Sequence, residues 1–98
     1  MSKVISLEKG LDELKRSYKG ARYERVMINE VKRKLWESYT LYESFLEDNY
    51  EERTEEMEVA LKSFKNLILY FNKRVRKLDD NISRKKEMLG KLEETKNE

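Results

Sequence analysis

The chain has 98 residues, of which 43% are charged and 38% hydrophobic, and its formal net charge at pH 7 is +2. This length allows one domain with a modest core, and the nearly balanced charge gives no overall attraction to nucleic acid or membrane. Cysteine and histidine are absent, which excludes disulfides and thiolate metal sites and removes the commonest proton shuttle and zinc ligand.

No apolar run reaches bilayer length and no signal-peptide h-region is found, so we expect a cytoplasmic protein without a membrane span. The chain has no proline and only three glycines, so few residues would interrupt a helix. Asn-Gly and Asp-Gly turns are absent. The sequence therefore predicts an all-α fold, and the high charged fraction favours a thermophilic source, where ion-pair networks are common.

The first predicted arm of the chain covers about residues 3–47. Gly20 is either a kink in one continuous helix or a left-handed cap that ends a first helix; we favour the kinked, continuous helix. An amphipathic stripe precedes it, with apolar residues at alternating steps of three and four: Val4, Leu7, Leu11, Leu14 and Tyr18. A wider stripe follows it: Ile28, Val31, Leu35, Tyr39, Tyr42 and Leu46, flanked by Val26, Met27, Trp36 and Phe45.

A turn is predicted at about residues 48–50. Asp48 or Asn49 can cap a new helix, because a glutamate follows three residues after each of them. Thr54 is an alternative cap a little later. The resulting antiparallel hairpin would pair residue i with about residue 99 minus i of this 98-residue chain.

The second predicted arm, about residues 51–94, carries an apolar seam with heptad spacing, which is typical of a helix in a coiled coil or bundle. The seam is broken once, at Lys85, and its members are Met57, Leu61, Phe64, Ile68, Phe71, Val75, Leu78, Ile82, Lys85, Leu89 and Leu92. The segment Leu67–Phe71 is apolar on every side, which indicates burial from several directions. The expected hairpin places this segment beside Ile28–Lys32.

Apolar side chains should remain after the two arms have packed together. We expect a self-association interface formed by Trp36, Tyr39, Leu46, Leu67 and Tyr70. Monomers rarely expose a patch of this kind, so we expect a homodimer in which two hairpins form a four-helix bundle with twofold symmetry. The alternative is a monomeric three-helix bundle in which residues 4–18 fold back over the patch.

Charges are segregated, with acidic residues around the turn and a basic band in the middle of the arms. The candidate nucleic-acid contacts in this band are Arg22, Arg25, Lys32, Arg33, Lys73, Arg74, Arg76 and Lys77. Such a band can follow phosphates, with strongly salt-dependent affinity. We favour instead a solvated face with ion pairs between successive helix turns. A third interpretation is that the acidic turn of one molecule meets the basic band of a neighbour.

The segment Glu51-Glu52-Arg53-Thr54-Glu55 resembles the EExxE half of the metal-binding signature of the all-α MazG-like nucleotide pyrophosphohydrolases. The resemblance implies carboxylates for Mg²⁺, but the family's ExxD element does not occur downstream, so an octahedral site would lack ligands. We find no nucleophile–base pair and no phosphate loop. We therefore expect no cofactor and predict a non-enzymatic adaptor or assembly protein that binds a protein partner through an apolar helix face, with nucleic-acid binding as the alternative.

Overall fold

The computed structural model describes the backbone of residues 2–97 and the side chains of residues 7–95. Helix α1 covers Ser2–Asn49 and helix α2 covers Glu55–Asn97, and the two form a hairpin. No strand occurs among these residues. The predicted all-α hairpin is confirmed. The side chain of Val4, a member of the first stripe, lies outside the described residues.

The loop between the helices, residues 50–54, is longer and later than the predicted turn. Of the three predicted cap residues, Thr54 is the one observed, because its Oγ1 accepts a hydrogen bond from the backbone N–H of Met57 at 3.2 Å. Three glutamates in the first turn of α2 complement the positive end of the helix dipole. Asn49 belongs to the end of α1, where its side-chain amide donates to the carbonyl of Phe45 at 2.8 Å.

Gly20 lies inside an unbroken α1. No glycine among the described residues has a positive φ, so the alternative of a left-handed cap at this position is wrong. A Cβ built on Gly20 would meet no atom within 4 Å. The glycine is therefore neither a helix end nor a site of close packing.

The heptad seam of α2 is confirmed, because all eleven of its predicted members are buried or half-buried. In α1 the seam follows the predicted positions as far as Ile28 and then continues through Lys32 and Leu35. Val31, which the wide stripe placed at this point, is 38% exposed. The seam moves from Ile28 to Lys32 by four residues and then to Leu35 by three. This alternation is the same as in the first half of the helix, so the seam stays on one side of α1.

The hairpin divides into two compact units. Unit 1 contains α1 up to Val26 and α2 from Arg76, and its buried apolar side chains are Leu11, Ala21 and Leu78. Unit 2 contains residues 27–75, and its core is a cluster of Tyr39, Leu46 and Leu61, against which Tyr42, Met57 and Phe64 pack.

The register between the helices differs from the predicted one. In unit 1, Arg25 pairs with Asp79, and in unit 2, Lys65 lies over the ring of Tyr39; in both pairs the residue numbers add up to 104. The expected value was 99, because the turn was placed too early. In unit 2 residues 67–71 therefore lie level with about residues 33–37, five residues later than predicted, although Ile68 still lines one groove with Asn29 and Lys32.

Candidate interaction surface

The five side chains predicted to form a self-association interface have different environments. Trp36, Leu67 and Tyr70 are exposed by 57%, 46% and 60%. Tyr39 and Leu46 are buried, at 6% and 1% exposure, in the core of unit 2. The prediction that these two side chains remain exposed on the hairpin is therefore wrong, because they occupy equivalent seam positions of α1, one heptad apart.

Trp36 lies on a side of unit 2 that also carries charged groups. Its indole stacks on the ring of Tyr39, with centroids 5.7 Å apart and an interplanar angle of 22°. The hydroxyl of Tyr39 donates to Glu43 at 2.8 Å, and the Nζ of Lys65 lies 5.3 Å from the centroid of the same ring. We call this side, marked by Trp36, Glu43 and Lys65, the Trp36 side.

The ammonium group of Lys65 is stabilised in its charged form. The oxygen of Tyr39 beside it raises the pKa of Lys65, and the carboxylate of Glu43 adds a smaller effect in the same direction. The Trp36 side thus combines an aromatic surface with a cation and a carboxylate that both contact Tyr39.

Helix geometry places Leu67 away from this side. An α-helix turns by about 100° per residue, so a residue two positions further along points about 200° away. Leu67 follows Lys65 by two residues, and Phe45 follows Glu43 by two residues. Because Lys65 and Glu43 share the Trp36 side, Leu67 and Phe45 share the opposite side of the hairpin. The structure therefore does not bring Trp36 together with Leu67.

The opposite side of unit 2 carries a continuous surface without charged residues, which we call the uncharged face. Its members follow steps of three and four along each helix and therefore share one side; they are Ser38, Leu41 and Phe45 of α1, and Ala60, Ser63, Leu67 and Tyr70 of α2. Leu41 is 74% exposed and Phe45 52%. Sequence reasoning missed Leu41, although its spacing from Phe45 was a detectable signal.

The predicted basic band is divided equally between the two units: Arg22, Arg25, Arg76 and Lys77 belong to unit 1, and Lys32, Arg33, Lys73 and Arg74 to unit 2. Arg25 pairs with Asp79. Arg33 bridges Glu30 and Glu37, with N–O distances of 2.5 Å to each. The hydrogen bond from Arg33 lowers the pKa of Glu30 and thereby keeps this carboxylate ionised.

A basic groove is present in unit 1, with a volume of about 520 Å³. Its lining residues are Asp12, Lys15, Arg16, Tyr18, Lys19, Arg22 and Leu89. The guanidinium of Arg22 lies 5.6 Å from the ring centroid of Tyr18, and Lys15 forms a 3.9 Å ion pair with Glu93. Of the predicted nucleic-acid contacts, only Arg22 lines this groove.

The carboxylates that resemble the EExxE signature do not share one helix. Glu51 and Glu52 lie in the loop, and Glu55 begins α2. Among the described residues, no group of three or more Asp, Glu, His or Cys side chains is arranged to hold a metal ion. The same residues include no helix that is long and apolar enough to cross a membrane.

Comparison of the chain with protein-family models, with curated proteins and with solved structures finds no match.

Proposed function

We propose that the protein is a non-enzymatic adaptor or assembly protein that docks to protein through the uncharged face and forms a homodimeric four-helix bundle. One observation supports this proposal. In a chain with 43% charged residues, the uncharged face has no charge and exposes Leu41, Phe45, Leu67 and Tyr70 by 46–74%. Contiguous apolar surface of this kind is typical of interaction sites.

The size of the uncharged face sets the free energy that its burial can contribute. Covering on the order of 400 Å² of apolar surface per chain, at ~25 cal/mol per Å², is a large gross gain beside the few kcal/mol of net stability of a small domain. Association costs in translational, rotational and side-chain entropy offset much of this gain. The remainder is enough for a specific complex when large side chains near the centre of the face are fully covered.

Sedimentation equilibrium at micromolar concentration tests the proposal. We expect a dimer for the native chain and a monomer for Leu41→Glu, because this substitution places a charge at the centre of the covered surface. Leu69→Glu is the matched control: Leu69 is 58% exposed and lies on the Trp36 side, one helix turn after Lys65. A native chain that is monomeric throughout, or equal weakening by both variants, would contradict the proposal.

The alternative function is nucleic-acid binding, and the basic groove of unit 1 supports it. Lys15, Lys19 and Arg22 recur along one side of α1 beside an aromatic ring, which suits phosphates and stacked bases. Fluorescence anisotropy with labelled DNA should then show affinity that falls steeply with salt and that is lost in the triple Lys15→Gln, Lys19→Gln, Arg22→Gln variant. Absence of binding at low salt would exclude this function.

The proposal keeps the cytoplasmic location expected from the sequence, and fractionation of native cells tests it. Recovery of the protein in a membrane or secreted fraction would contradict this part of the proposal.

A further inference from the structure

We propose that a second copy of this chain covers the uncharged face and that the two hairpins run in opposite directions, with the loop of each at the far end of the other. The inference rests on the homodimer of the proposed function and adds the orientation of the two copies. It depends on how charges are placed at the two ends of the face.

The uncharged face has an acidic end and a basic end. On α1 the charged residues that bracket it are Lys34 before Ser38 and Asp48 after Phe45; on α2 they are Glu56 before Ala60 and Arg74 after Tyr70. Because the helices are antiparallel, Asp48 and Glu56 lie together at the loop end, and Lys34 and Arg74 lie together at the other end.

A twofold rotation about the centre of the face exchanges these two ends. Leu41 is the midpoint of the face on α1, because it is seven residues from both Lys34 and Asp48. On α2 it lies level with Ser63, because the two residue numbers add up to 104, as they do for the observed pair Tyr39 and Lys65. The twofold axis lies in the interface, perpendicular to the helices, at the level of Leu41 and Ser63. It therefore places α1 of one copy on α1 of the other and brings the acidic end of each copy against the basic end of the other. A dimer with both loops at the same end would place like charges together, which is unfavourable.

The side chains near this axis suit close contact between two copies. Leu41 is 74% exposed, more than any other large hydrophobic side chain among those described. Its neighbours on the face, Ser38, Ala60 and Ser63, are small. The hydroxyl of Ser63 already donates to the carbonyl of Val59 at 2.8 Å, so its donor keeps a partner when the face is covered. Leu41 of one copy can thus pack against Leu41 and Ser38 of the other, while Ala60 and Ser63 allow the two α2 helices to approach closely.

The face also has a suitable size for a second copy. Lys34 and Asp48 are separated by about 20 Å of helix, and two adjacent helices are about 20 Å wide. The footprint of this patch is on the order of 400 Å², and its projecting side chains raise the accessible area toward the roughly 600–1,000 Å² per partner of stable complexes. A single added helix would leave part of this width uncovered.

Cross-linking of single-cysteine variants tests the orientation, because the native chain contains no cysteine. Asp48→Cys and Lys34→Cys chains are mixed and treated with a short bis-maleimide, and sedimentation confirms that each still associates. We expect covalent dimers that contain one chain of each kind, and few from either variant alone. Cysteine at Leu69, on the Trp36 side, is the control and should not cross-link.

The cross-linking and sedimentation results separate three questions: the orientation of the two copies, the face that is covered, and whether a homodimer forms. Cross-linking of Asp48→Cys with itself would overturn the proposed orientation and leave the homodimer intact. A mixture that sediments as a dimer without cross-links would show that another face is covered. A monomeric native chain would overturn both this inference and the homodimer of the proposed function.

Charge reversal provides an independent measurement. We expect Lys34→Glu to weaken association about tenfold or more, because like charges would then meet across the interface, and Lys34→Glu combined with Asp48→Lys to restore it. An equal dissociation constant for the native chain and the single variant, or no recovery in the double variant, would contradict the proposed pairing of the ends.

Discussion

At the scale of single residues, Thr54 determines where α2 begins. Its Oγ1 accepts the N–H of Met57, and its backbone carbonyl accepts the N–H of Glu58 at 3.1 Å. Asp48 and Asn49 are equally good cap residues in sequence, but α1 continues through both. A cap requires non-helical backbone at the capping residue, and only Thr54 has it.

We expect Thr54→Ala to lower the free energy of unfolding by about 1 kcal/mol, because the first turn of α2 loses an acceptor for one of its free N–H groups. Urea denaturation of the dilute protein measures this change. Thr40→Ala is the matched control: Thr40 lies within α1, and its hydroxyl bonds only to the carbonyl of Trp36, so the substitution should be neutral or slightly stabilising. Equal losses from both substitutions would show that Thr54 has no special role.

At the scale of helices, charged residues occupy seam positions without ending the helices. Arg25 and Lys85 are half-buried and reach groups on the opposite helix, since Arg25 pairs with Asp79 and Lys85 donates to Ser17. Long basic side chains can cover apolar surface with their methylene groups while the charged end remains near water. Both helices therefore continue without a break at these charged positions, and the seam stays on the same side of each helix.

Gly20 provides a test of helix continuity. We expect Gly20→Ala to raise the free energy of unfolding by about 0.5–1 kcal/mol, because alanine restricts the unfolded chain and favours a helix interior, and because the added Cβ meets open space. Thermal and urea unfolding measure the change. A loss of stability would indicate a left-handed conformation at this position, which only glycine adopts without strain.

At the scale of the whole molecule, the core is small. Among the described residues the buried apolar side chains are Leu11, Ala21, Ile28, Tyr39, Leu46, Leu61 and Leu78. Isolated helices gain little stability from propensity alone, and most of it comes from packing of an apolar face. Each buried leucine therefore contributes a large share of the net stability.

Two leucines of the same helix distinguish core from surface. We expect Leu46→Ala to lower the free energy of unfolding by about 2–5 kcal/mol, because Leu46 is 1% exposed and truncation leaves a cavity. Leu41→Ala, at 74% exposure, should change it by less than about 0.5 kcal/mol. Chemical denaturation at concentrations where the chain is monomeric measures both values, and a similar loss for the two variants would contradict the assignment of Leu46 to the core.

Much of the fold follows from spacing alone. The heptad seam of α2, the all-α class and the hairpin could be predicted. Apolar residues at alternating steps of three and four lie on one side of an α-helix, and that side must pack against another helix. The loop and the register could not, because Asp48, Asn49 and Thr54 are all competent caps and only packing selects among them. A shift of the turn by a few residues changed every cross-helix neighbour.

The candidate surface was predicted only in part. The sequence by itself determined that apolar residues exceed what one seam can bury, because composition and period are local properties. The tertiary structure decided which of them remain exposed: it buried Tyr39 and Leu46, separated Trp36 from Leu67 and exposed Leu41. Exposure depends on which sides of two helices face each other, and that is a property of their packing and not of either helix alone.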